Sequence, residues 1–265
     1  MLAVYGADFS GAMSPKIFYV YGALDGDTLT LKSYTVCDDR LDLYHAIVQS
    51  GDALWGLDFP FSLPVGALPM LGFADRDDMI RSVTGMTRKV FAAFIEQHMQ
   101  DYPRKCAEDH GIYCRATDYA VHAHSVFKTV NPNLRVMLYA GLKMLRYLTD
   151  AGINVYPFTK TYRADYARVY EIYPSYAWQA VGLKRSIDID GFIDRFNTLG
   201  HLRVISAIDS DAINNQDLAD SVVACVMMAT AYVTQKMNTS WDNRLPIFTD
   251  DEWKRRHIEG LIVRF

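Results

Sequence analysis

Leu2-Ala3-Val4-Tyr5-Gly6-Ala7-Asp8 and Ala53-Leu54-Trp55-Gly56-Leu57-Asp58 are two short apolar runs, each ending on an aspartate and each followed by a turn. Such runs suit strands covered on both faces, as strands paired in parallel are. Between them, Ile17 to Leu24 is rich in aromatic and β-branched residues and closes on the hairpin signal Asp25-Gly26-Asp27. Thr28 to Val36 alternates as a third strand would. Three strands joined by short turns run antiparallel. Leu41, Tyr44, Ile47 and Val48 then recur at helical spacing up to Gly51. A helix between two buried strands is a crossover unit, which sets the strand ending at Asp58 beside the strand ending at Asp8.

Further along, Phe59-Pro60-Phe61-Ser62-Leu63-Pro64 cannot continue a ladder, because its prolines remove donors. Apolar spacing predicts helix over about 75–100 with a break near Gly85, and an amphipathic helix over Leu134 to Thr149 stopped by Gly152. Tyr102 to Pro132 has no clear period. Strands are expected at Ile153 to Phe158 and Arg168 to Tyr173, and a short helix at Ile189 to Phe196. One more strand or helix start is expected at Val204 to Ile208, and a last strong helix from about Asp217 to Gln235. The expected fold class is therefore α/β: a mixed sheet of three antiparallel strands followed by parallel ones, flanked by helices. It forms a single domain over 1–265, with a mostly helical insertion around 65–150.

Composition narrows the function. Half of the 265 residues are hydrophobic and 22% charged, so no long stretch reads as disordered. A net charge of −4 gives no basic footprint for duplex binding, and contact with nucleic acid would need a local patch. Four scattered cysteines are too few for a disulfide framework, and no signal-like start opens the chain, so a reducing cytoplasm is expected. The longest apolar stretch, Ser221 to Val233, is shorter than the roughly 20 residues a bilayer requires, so no membrane span is expected.

The chemistry gathers on carboxylates. Asp8 and Asp58 end strands at the sheet edge where open α/β folds bind ligands. Asp217 and Asp220 lie three residues apart at the start of an apolar helix and project from one face. If that helix crosses the two strands, all four acids meet. Clustered carboxylates repel unless a cation holds them, and hard oxygen donors suit Mg²⁺ or Mn²⁺. Two such ions about 3.5–4 Å apart clamp a phosphodiester under in-line attack. Taken singly, each acid has a plainer use: Asp217 as a cap, Asp220 as a first-turn acid, Asp8 and Asp58 as turn initiators.

Other motifs are weaker. Cys106, His110 and Cys114, with His122 and His124 nearby, lack the short Cys-x-x-Cys pairs of a zinc site, and spacing of four is ordinary for a helix face. Ser10 lacks a Gly-x-Ser-x-Gly elbow, and no phosphate-binding loop ends in Gly-Lys-Ser/Thr. Tyr170, Tyr173, Tyr176 and Trp178 read as core sooner than as base-stacking platforms. Lys254-Arg255-Arg256 reads as a solvated helix face.

The ordered pieces resemble a known family. Gly6-Ala7-Asp8-Phe9-Ser10-Gly11-Ala12, Leu57-Asp58-Phe59-Pro60-Phe61-Ser62-Leu63-Pro64 and Pro103-Arg104-Lys105-Cys106 come first. Ser125-Val126-Phe127, Glu171-Ile172-Tyr173-Pro174 and Asp217-Leu218-Ala219-Asp220-Ser221 follow. In this order they resemble the predicted-nuclease family catalogued as domain of unknown function 429, within the ribonuclease H-like superfamily. The resemblance implies a ribonuclease H-like sheet and a metal-dependent nuclease. Asp8 and Asp58 would be the strand ligands, Asp220 with Asp217 the helix ligands, and Glu171 a further catalytic candidate. Ser221 departs from the alanine such helices often carry. Two other readings stay open. In an actin-like ATPase type, Asp8 with Ser10 and Gly11 would hold the phosphates of a Mg-nucleotide or a phosphorylated small ligand. In a non-catalytic binding module the acids would be caps only.

Overall fold

The computed structural model describes residues 1–13, 16–100, 106, 111–130, 133–234 and 249–264. β1 (Leu2–Asp8), β2 (Ile17–Asp25) and β3 (Thr28–Cys37) pair as an antiparallel meander. The turn between β2 and β3 passes through Gly26 at φ +59°, a conformation that only glycine takes without steric cost. Helix α1 (Arg40–Gln49) is started by Asp39, whose carboxylate accepts from the N–H groups of Leu41 and Asp42. The chain then enters β4 (Ala53–Asp58), parallel to β1 and in register with it, so that Asp58 stands opposite Asp8. The crossover expected from the sequence is present.

Five helices lie between β4 and the next strand: α2 (Ala67–Met70), α3 (Arg76–Gly85), α4 (Arg88–His98), α5 (Ala116–Ala120) and α6 (Leu134–Asp150). The break expected near Gly85 falls between α3 and α4. Then follow β5 (Asn154–Val155), β6 (Arg168–Glu171), α7 (Pro174–Ala180), α8 (Ile189–Thr198), β7 (Arg203–Ser206), α9 (Gln216–Val233) and α10 (Asp250–Glu259). The seven strands take the order β5-β6-β4-β1-β2-β3-β7, with β2 alone antiparallel to its neighbours.

Several expectations need correction. The strand expected over Ile153 to Phe158 stops at Val155, because the N–H groups of Phe158 and Thr159 turn back to the Val155 carbonyl. The one expected to reach Tyr173 stops at Glu171, since Pro174 opens α7. Within Tyr102 to Pro132 the described residues hold only the short helix α5, so that stretch is largely irregular. Gln235 and the Pro103-Arg104-Lys105 piece lie outside the described residues. Arg256 is not part of a solvated face: it is buried. Cys106 and Cys114 form a disulfide, while Cys37 and Cys225 are free and buried. Disulfides persist in oxidising surroundings, so the cysteines lend no support to a cytoplasmic reading. No described helix is long and apolar enough to cross a membrane.

Strand periodicity divides the core. Val4, Leu54 and Tyr170 face one layer, made by α7, α8 and α9, and Tyr5, Trp55 and Val169 face the other, made by α1, α3, α4 and α6. Tyr5 stacks flat on Trp55 with ring centroids 4.2 Å apart. Where α9 crosses the sheet, the strands beneath it carry glycine. A Cβ on Gly6 would collide with the backbone of α9 at Ser221, Ala224 and Cys225, and one on Gly56 with Met228. Glycine here permits backbone-to-backbone approach, which brings the first turn of α9 down to the ends of β1 and β4.

Candidate metal centre

Asp8 and Asp58 are even-numbered in strands whose even positions face α9, so both side chains leave the sheet toward the first turn of that helix. Ser221 of α9 fixes the junction. Its Oγ accepts from the Asp8 N–H at 3.1 Å and lies 2.9 Å from the Phe18 carbonyl and 2.8 Å from that of Asp217. Ser221 thus ties α9 to β1 and β2.

Asp217 faces the same space, but it is not the cap of α9. Asn215 is, accepting from the Leu218 N–H at 2.9 Å. Asp8, Asp58 and Asp217 line a cavity of about 640 Å³, with Ser10, Gly11 and Arg185 also on its wall. Gly11 allows the β1–β2 connection to press on the first turn of α6, since a Cβ there would meet Met137 N at 2.6 Å. Arg40 donates to the carbonyls of Ser10 and Ala12 and holds that connection from outside.

Asp220 stands beside this group on different terms. It is 1% exposed, and both of its oxygens are occupied. Oδ1 accepts from Trp178 Nε1 at 2.9 Å and from Gln216 Nε2 at 3.1 Å, and Oδ2 is ion-paired with Arg185. Glu171 is further removed. It pairs in register with Leu57, so its side chain leaves the sheet on the opposite face from Asp58. There the Arg115 guanidinium takes both its oxygens, at 2.6 and 2.8 Å, and the Phe61 N–H donates at 3.1 Å. Arg115 spends its other donors on Asp118 and the Glu259 carbonyl, so all five N–H groups are used. Glu171 touches the cavity wall as half of a buried structural ion pair. Arg115 was not singled out in the sequence, where nothing links it to a strand 56 residues later.

Charge is unbalanced at the strand ends. Burial pushes the Asp58 carboxyl up to about 8, with Asp220 adding repulsion and Arg185 opposing it. Asp8 is raised well above the usual carboxylate range, by burial first and then by Asp58, Asp220 and Asp217. Burial disfavours the charge on Arg185, but its bond to Asp220 and the field of Asp220, Asp8 and Asp58 keep it protonated. Neither Asp8 nor Asp58 receives a side-chain hydrogen bond from a described residue; the bond made at Asp8 uses its backbone N–H.

Among the described residues no group of three or more His, Cys, Asp or Glu side chains is arranged to hold a metal ion. Mg²⁺ asks less than that, because it keeps several waters and takes one or two carboxylates. Two adjacent carboxylates at a roomy cavity, without side-chain partners among the described residues, are a donor set that fits it. The zinc alternative loses both of its cysteines, because Cys106 and Cys114 are bonded to each other; His110 lies outside the described residues.

Fold and site together define an α/β protein with a paired-carboxylate cavity at the carboxyl ends of its central parallel strands. Compared with known proteins, the chain matches no family model, no curated protein and no solved structure.

Proposed function

We propose that this chain is a divalent-metal-dependent phosphodiesterase, a nuclease on a ribonuclease H-like sheet. The observation that carries the reading is the in-register pair Asp8 and Asp58, facing the cavity with no side-chain hydrogen-bond partner among the described residues. Asp8 and Asp58 would hold Mg²⁺ or Mn²⁺, with Asp217 on the same cavity wall. Such an ion, when bound, polarises a phosphoryl oxygen and makes water a nucleophile at neutral pH. The chain's own part is to keep the two carboxylates side by side through strand register. Ser221 fixes the backbone at Asp8, and Arg185 and Arg88 give the cavity its cationic lining. The mixed strand order and the placement of Asp8 and Asp58 side by side at one sheet edge support this reading; the positions of Asp220 and Glu171 do not add to it. With a net charge of −4, the substrate fitting this cavity is a single strand or a small phosphate ester, not a duplex bound by a broad basic face.

Ser10 and Gly11 line the same cavity, which also suits an Mg-nucleotide held without phosphodiester cleavage. One experiment separates the two. Wild type, Asp8→Asn and Asp58→Asn are unfolded thermally in EDTA, Mg²⁺ and Mn²⁺, then assayed on a single-stranded oligonucleotide and on ATP. The expected result is Mn²⁺ stabilisation of wild type alone, and oligonucleotide cleavage reduced on the order of 10²-fold or more in both variants. Metal-dependent ATP binding without cleavage would move the nucleotide reading ahead. Equal Mn²⁺ response in all three proteins would remove the metal centre.

A further inference from the structure

Asp220 has no free lone pair facing the cavity, while the cation it holds does reach that cavity. The Arg185 side chain is 45% exposed against 1% for Asp220, and it leaves the connection between α7 and α8 to line the same wall as Asp8, Asp58 and Asp217. Its Nε and Nη2 meet Asp220 Oδ2, and Nη1 has no described partner. Asp220 itself is anchored from behind by Trp178 of α7 and Gln216 of α9. The result is a guanidinium fixed along one edge by a buried carboxylate and open along the other. A planar fork held this way presents two parallel N–H groups to an oxyanion, and arginine suits phosphate for that reason. Arg88, at the start of α4, lines the same cavity and has no partner among the described residues.

We propose that Arg185 binds the anionic phosphate oxygens of the substrate, and that Asp220 is its positioning residue, not a ligand of the metal ion. This rests on the proposed reading of the cavity as a phosphate-ester site, and it assigns Asp220 a different task from Asp8 and Asp58.

Calorimetric titrations of the full chain separate the two ligands. Mn²⁺ is titrated alone, and thymidine 3′,5′-bisphosphate is titrated in EDTA, into wild type, Asp8→Asn, Arg185→Gln, Asp220→Asn and the Arg185→Gln/Asp220→Asn double variant. The expected result is a loss of roughly tenfold or more in bisphosphate affinity for Arg185→Gln and Asp220→Asn, with no further loss in the double variant. Mn²⁺ affinity in those variants stays equal to wild type or rises, while Asp8→Asn loses it. Loss of Mn²⁺ binding in Asp220→Asn, or unchanged bisphosphate affinity in Arg185→Gln, would overturn the assignment, as would a wild type that ignores the bisphosphate. If Mn²⁺ fails to bind wild type while Arg185→Gln still weakens the bisphosphate, the metal reading fails and this one stands. Arg185 lies half-exposed on a connection, so its substitution keeps the test valid even if Asp220→Asn does not fold.

Discussion

Asp58 ends β4 with its carboxyl pushed up to about 8 by burial and by the neighbouring Asp220. An acid raised in the folded state favours folding while it stays protonated. In the unfolded chain an aspartate ionises near about 3.9. The contribution is whole below that value and is lost as pH rises through about 8. In EDTA the melting temperature is therefore expected to fall between pH 5 and 8.5, and to fall less in Asp58→Asn. At pH 8 that variant should exceed wild type in stability by on the order of 1–3 kcal/mol, or about 2–4 °C per kcal/mol for a domain of this size. Superimposable pH profiles for the two proteins would mean that Asp58 carries no such strain. Asp8 and Asp58 were legible in the sequence because an apolar run ending on an acid fixes both strand and edge. Glu171 ends a similar run, yet strand parity turns it to the other face. Asp220 shares a helix face with Asp217, yet its partner Arg185 lies 35 residues earlier, in a connection with no period to mark it.

Helix α9 sets the site from above, and it does so because the strands beneath it lack side chains where it crosses. From Leu218 to Ala231 every residue of it is buried, so no polar face was there to mark which side meets the sheet. Gly6, Gly22 and Gly56 supply that information from the sheet. Gly6→Ala has no flexible side chain to push aside, only the α9 backbone, and overpacking of that kind costs about 1–3 kcal/mol or more. An unfolding free energy from urea titration lowered by that amount, with the Mn²⁺ response weakened as α9 shifts against the backbone at Asp8, is the expected outcome. A neutral Gly6→Ala would show that α9 rides higher on the sheet than described. The sequence identified the helix and both strands, but their separation depends on a close approach that no periodicity encodes.

Across the whole molecule, the centre of the sheet was readable in full, while at its margins the strands were placed but their extents and pairings were not. β1 to β4 and the helix between β3 and β4 carry strong periods and turn signals. The two-residue strand β5, the four-residue strands β6 and β7, and the bridge from Ile262 to Glu171 depend on pairing partners far away in the chain. The same holds for the buried charges that close the seam between α5, β6 and the C-terminal segment, where Arg115 joins Asp118, Glu171 and the Glu259 carbonyl. Around that frame the chain leaves one edge, at the ends of β1 and β4, with two carboxylates lacking side-chain partners among the described residues and an open cavity before them. The most direct measurement is an anomalous difference map from a crystal soaked in Mn²⁺. The account predicts a peak between the carboxylates of Asp8 and Asp58, absent from crystals of Asp58→Asn. A map with no density at that edge, or with Mn²⁺ bound elsewhere and both carboxylates untouched, would contradict it.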